Sequence, residues 1–195
     1  MRDILLLGDE SGSIGWYNFE KMKNAFKAVA QNVNGGIGDQ STQIAMMSFS
    51  RWSRLQFGFD QYETADEVVQ GISATIFRGG YRSKIGNALL DANTWMFQQS
   101  QGMRSFPGPG DNIDHEILIA TDGCRTSLGY YLTSGLRAIK KRGIKLSVLA
   151  IYARDPRCQE TIRSMVDDPN DLYEVGDWAA LDNMNEQVQA GACRP

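Results

Sequence analysis

One histidine and three cysteines are spread over 195 residues. That scarcity removes most nucleophilic and zinc chemistry at once. Cys124, Cys158 and Cys193 do not carry zinc-site spacing, and His115 alone cannot complete such a site. No G-x-x-x-x-G-K-[ST] phosphate loop occurs, and no Ser, Cys and His constellation suggests hydrolysis. No apolar run reaches transmembrane length. The four apolar residues after Met1-Arg2-Asp3 are too few for a secretory leader. Excess positive charge is missing too: 20 Lys+Arg against 23 Asp+Glu leaves a net −3, which argues against nucleic acid as the main partner. Lys140-Lys141-Arg142 is the one dense basic cluster, and it reads as a solvated helix end favoured by the helix dipole.

With 42% hydrophobic and 22% charged residues, the composition is that of a globular chain able to bury a core. The length suits a single domain over 1–195, and the abrupt start suggests a domain cut from a longer protein. The odd cysteine count leaves two readings open. One is an extracellular domain whose third cysteine has lost its partner. The other is a cytosolic chain with three idle thiols.

Apolar runs alternate with helical periods. Strands are predicted over 4–7, 43–50, 55–59, 116–120, 144–152 and 172–175, and helices over 16–33, 65–74, 85–97, 129–142, 157–166 and 178–188. The close spacing of the second and third strands predicts a hairpin with the third strand on an edge. The segment 98–112, rich in Gly and Pro, predicts a long loop. The fold class that follows is α/β, with a mainly parallel sheet covered by helices on both faces. Ligands of such sheets sit beyond the carboxyl ends of the strands, where strand order reverses.

Asp9-Glu10-Ser11-Gly12-Ser13 follows directly on Ile4-Leu5-Leu6-Leu7. This D-x-S-x-S sets one carboxylate and two hydroxyls at alternate positions of a tight loop, where they can converge on a hard cation. Alone, the pattern arises by chance in roughly one chain in twenty of this size. Its place at a strand end, with Thr121-Asp122-Gly123 after a later strand, makes it more specific. If the first and fourth strands are neighbours, Asp9 and Asp122 face each other across the crevice. The glycine-rich stretch 79–86 enters a helix on the same edge and adds Ser83. The candidate metal set is therefore Asp9, Ser11, Ser13, Ser83 and Asp122, with a vacancy for an acidic group from a partner.

These residues are similar to the metal-site motifs of the von Willebrand factor type A domain family. Asp9-Glu10-Ser11-Gly12-Ser13-Ile14-Gly15 resembles that family's metal loop, and Ala120-Thr121-Asp122-Gly123 resembles its second aspartate. Ser83-Lys84-Ile85-Gly86-Asn87-Ala88-Leu89 resembles its T-x-T-G-x-A-L, with Ser83 and Ile85 in place of the two threonines and an extra residue after Gly79-Gly80. The resemblance runs from Asp3 to about Cys193. It implies a Rossmann-like, doubly wound sheet of six strands with one antiparallel edge strand, and a metal-ion-dependent adhesion site. It also implies Mg²⁺ or Mn²⁺ in that site, with Ca²⁺ an alternative, and binding rather than catalysis.

Less pointed readings stand beside these. Asp9 can cap a turn, and Ser83 can cap a helix. Glu10 points away from the metal loop, toward a partner or simply into solvent. Tyr81 and Arg82 lie beside Ser83 and suit a protein interface. Trp16, Trp52, Trp95 and Trp178 read as core or half-buried packing, and His115 as structural or exposed. If the fourth and fifth strands are adjacent, the loops carrying Cys124 and Cys158 can meet in a disulfide. Cys193 would then pair with a cysteine before Met1.

The leading functional expectation is an extracellular, secreted adhesion module that grips an Asp or Glu of a protein ligand, collagen or another matrix protein among the candidates. A structural matrix component with an incidental metal is the second. An aspartate-nucleophile phosphoryl-transfer enzyme is the third, disfavoured because Ser11 stands where such enzymes need a second acid. A cytoplasmic domain acting beside an ATPase is the fourth.

Overall fold

Six strands form one sheet in the order β3-β2-β1-β4-β5-β6. They are β1 (Arg2–Asp9), β2 (Thr42–Phe49), β3 (Ser53–Phe57), β4 (Asp114–Thr121), β5 (Lys145–Ile151) and β6 (Leu172–Val175). Among the described residues, five α-helices accompany them: α1 (Gly15–Asn32), α2 (Ala65–Ala74), α3 (Ile85–Asp91), α4 (Tyr130–Lys141) and α5 (Pro156–Arg163). The computed structural model describes residues 1–106, 112–124, 129–151 and 155–175. The helix predicted over 178–188, with Trp178 and Cys193, lies outside the described residues.

All pairings are parallel except the β2–β3 hairpin, which carries an irregularity between Met46 and Met47. β1 is central, so its apolar run must be buried on both faces, and the strand alternation divides it. Ile4 and Leu6 join Phe19, Met22 and Phe26 of α1 and Val68 and Ile72 of α2 in one core. Leu5 and Leu7 join Leu89 of α3, Leu132 and Ile139 of α4 and Ile162 of α5 in the other. α2 begins at a capping box in which Thr64 and Glu67 satisfy each other's backbone. α5 begins with Asp155 accepting from the Arg157 amide and Pro156 in the first turn.

Two elements depart from the sequence reading. The third strand begins at Ser53 and pairs only to Phe57, although Phe59 is also buried. The turn of Ser50-Arg51-Trp52 is short enough to start pairing at Ser53↔Phe49. The helix predicted over 85–97 is α-helical only to Asp91 and then loosens into a π turn, Ala92–Met96. Periodicity does not register one inserted residue per turn. The slip keeps Met96 and Phe97 buried and leaves Trp95 53% exposed.

Candidate metal centre

β1 and β4 are adjacent with Gly8 opposite Ala120. That register carries Asp9 and Thr121 side by side at the carboxyl ends of both strands, where β2 and β4 diverge to either side of β1 and the strand order reverses. Asp9 is fully buried. Its Oδ1 accepts from the Ser11 amide at 2.8 Å, which folds the loop back over the strand end. Its Oδ2 accepts from the Ser83 hydroxyl at 2.7 Å and from the Thr121 hydroxyl at 2.7 Å. Three segments far apart in sequence therefore meet on one carboxylate. Ser11 Oγ and Ser13 Oγ lie 3.1 Å apart, and Ser13 is exposed while Ser11 is buried. The Gly12 amide donates to the Gly80 carbonyl at 2.6 Å, which fastens this loop to the one leading into α3.

Asp122, 7% exposed, accepts from the Cys124 amide at 2.9 Å. Gly123 between them has φ +66°, and an added Cβ would lie 2.5 Å from Ile162 Cγ1, so both conformation and space require glycine. Cys124 is bridged to Cys158 of α5 with a Cα separation of 4.8 Å, inside the range a disulfide spans. The bridge pins the Asp122 loop to the helix beside it.

Burial raises the Asp9 pKa from 3.8 to about 6, and the charge of Asp122 adds to that rise; hydrogen bonds from Ser83, Thr121 and Ser11 oppose it. Two neighbouring carboxylates sheltered from water are costly when both are ionised, and a bound cation removes that cost. The donors are carboxylates and hydroxyls, hard oxygens suited to a hard or borderline divalent ion. Among the described residues, no three or more His, Cys, Asp or Glu side chains cluster, so any cation here relies on the serines. On that chemistry the residues fit a divalent ion. Ser83 does not act as a helix cap; its hydroxyl goes to Asp9, and α3 has no side-chain cap.

The readings of Glu10 and of the tryptophans need correction. Glu10 is neither solvated nor at the rim: it is 2% exposed and held in a two-pronged ion pair by Arg54 of β3, with Nε to Oε1 at 3.0 Å and Nη2 to Oε2. Desolvating a carboxylate beside the metal loop requires such a partner. Trp16, Trp52 and Trp95 are not core residues but 63%, 69% and 53% exposed. Tyr81 is 91% exposed, and Arg82 is exposed beside it, both at the rim. His115 is structural: 4% exposed, packed against Phe97 and Phe106, with Nε2 3.1 Å from the Arg104 carbonyl. Thr121 and Arg54 received no role from the sequence. Thr121 was recoverable from strand register, since it sits one residue before Asp122 and beside Asp9. Arg54 had no local signal.

The von Willebrand factor type A domain model matches residues 3–187. The transmembrane cell adhesion receptor mua-3 of Caenorhabditis elegans is 28% identical over 98% of this chain. The mouse collagen alpha-6(VI) chain is 23% identical over 99% of it. The chain spans only 5% and 8% of the length of these two relatives. Among solved structures, proximal thread matrix protein 1 of the mussel byssus, with a zinc-occupied MIDAS motif, superposes with a TM-score of 0.84 at 20% identity. That match covers 99% of this chain and 48% of the mussel protein.

Proposed function

The chain belongs to the von Willebrand factor type A domain family, and on that premise we propose that it is an extracellular adhesion or matrix-binding module. It binds a protein ligand through a divalent metal whose coordination the ligand's Asp or Glu completes. The observation that carries this is the convergence on Asp9 of hydroxyls from Ser83 and Thr121, with Ser11, Ser13 and Asp122 alongside. Asp9, Ser11, Ser13, Ser83 and Asp122 would hold the ion, Mg²⁺ or Mn²⁺, and the ion would supply an electrophilic point for a carboxylate. Its role is binding, not catalysis. The Cys124–Cys158 bridge and the adhesion-receptor and collagen relatives support an extracellular setting.

The test has two parts. Calorimetry with MgCl₂ and with MnCl₂ should give saturable uptake that Asp122→Ala abolishes. Solid-phase binding to immobilised fibrillar collagen should then be lost in EDTA. Absence of metal uptake by folded protein overturns the proposal. A second reading, a structural matrix component with an incidental metal, is favoured by the mussel neighbour, which is a thread matrix protein. Metal uptake combined with collagen binding or self-assembly indifferent to EDTA would select it.

A further inference from the structure

The loop that supplies Ser83 and the β2–β3 turn lie together at the rim, joined by the Lys84 amide donating to the Ser50 carbonyl at 3.0 Å. Between them they carry Arg51, Arg78, Arg82 and Lys84, four cations on a chain whose net charge is −3. Arg51, Arg78 and Arg82 are exposed, and Lys84 is half-buried. None of the four makes an ion pair with a described residue. Glu10, the carboxylate that would otherwise offset them, is turned inward and consumed by Arg54.

The patch is also aromatic. Trp52, 69% exposed, has the Arg51 guanidinium 5.3 Å and the Lys84 ammonium 5.8 Å from its ring. Tyr81, 91% exposed, stands next to Arg82. Cations held over an aromatic face lose less freedom on binding than free side chains do.

We infer that the preferred ligand is an acidic peptide run, one carboxylate meeting the metal centre and the following ones lying on the Arg51–Trp52–Arg78–Arg82–Lys84 patch. This deepens the proposed function and rests on its metal-bound carboxylate. Charge complementarity selects the sign of the partner. The Gly12–Gly80 backbone bond, which fixes the patch's loop to the metal loop, makes the two surfaces continuous. An extended chain advances about 3.3 Å per residue, so a short acidic run covers both. The aromatic rings favour a peptide, whose backbone and side-chain stems give them apolar contact, over a sulfated glycan.

The probe is fluorescein-labelled octa-glutamate, followed by polarisation in MgCl₂, against the variant Arg51→Gln/Arg78→Gln/Arg82→Gln. All three positions are exposed and outside the metal set, so calorimetric Mg²⁺ uptake should be unchanged. Peptide affinity should fall by about 10-fold or more, and wild-type binding should weaken steeply as salt is raised. Normal Mg²⁺ uptake with equal peptide affinity in wild type and variant overturns this inference alone. Loss of Mg²⁺ uptake in the wild type overturns the metal reading beneath it. Binding of a heparin oligosaccharide but not of octa-glutamate overturns the choice of a peptide.

Discussion

Asp9 concentrates the chemistry of this molecule because it is buried, ionisable and bonded from three directions. In metal-free protein its folded pKa of about 6 exceeds the unfolded value of 3.8. Between those values the folded state holds the proton that the unfolded chain has released, so stability falls as pH rises from 3.8 through 6 and is level above. A shift of this size corresponds to about 3 kcal/mol. Urea unfolding in EDTA from pH 4 to 7 should show wild type losing stability relative to Asp9→Asn across that window. A difference that is flat with pH would refute the assignment to Asp9. Thr121→Val tests the neighbouring hydroxyl with little change of shape. It should cost about 1–2 kcal/mol in denaturant unfolding and weaken Mg²⁺ uptake, because Asp9 Oδ2 loses one of its two hydroxyl donors. Thr121→Ser keeps the donor and should largely retain both.

At the scale of elements, the site depends on how closely its helices pack. α3 starts two residues after Ser83 and crosses α4 on two glycines. A Cβ at Gly86 would lie 2.3 Å from the Tyr131 carbonyl carbon, and one at Gly135 would lie 2.6 Å from the Gly86 oxygen. Gly86→Ala should therefore force the helices apart, cost about 1–3 kcal/mol, and weaken Mg²⁺ uptake through Ser83. Thermal unfolding and calorimetry check the two effects separately. The Cys124–Cys158 bridge closes a sequence separation of 34 residues. In the chain-entropy account its loss costs about 4 kcal/mol, so Cys124→Ser/Cys158→Ser should unfold at clearly lower denaturant. These elements also mark where the sequence was readable. Ile4 to Leu7, the α1 period and the D-x-S-x-S spacing signal through local pattern, whereas the adjacency of β1 and β4 stood only as a condition in the sequence and is supplied by the sheet. The Glu10–Arg54 pair joins residues 44 apart in sequence, and nothing local ties them. The π turn and the exposed tryptophans escaped because periodicity reports an apolar face and not which face of an edge helix or turn stays uncovered.

For the whole molecule, charge is divided by position and not by total. The net −3 suggests an acidic surface, yet the edge that bears the metal centre also carries Arg51, Arg78, Arg82 and Lys84. The two buried carboxylates of the centre repel each other in the metal-free fold, and the sheet order that brings β1 beside β4 obliges them to. A divalent ion relieves that repulsion only in the folded state, since the unfolded chain does not bring Asp9 and Asp122 together. Metal binding must therefore raise stability by mass action. At an ion concentration one hundred times the dissociation constant the gain is about 2.7 kcal/mol, which for a chain of this length lifts Tm by about 5–10 °C. Calorimetric scans in EDTA, MgCl₂ and MnCl₂ should show that rise in wild type and none in Asp122→Ala. A variant less stable than wild type in EDTA, with unchanged response to metal, would mean that Asp122 serves the fold and not the ion.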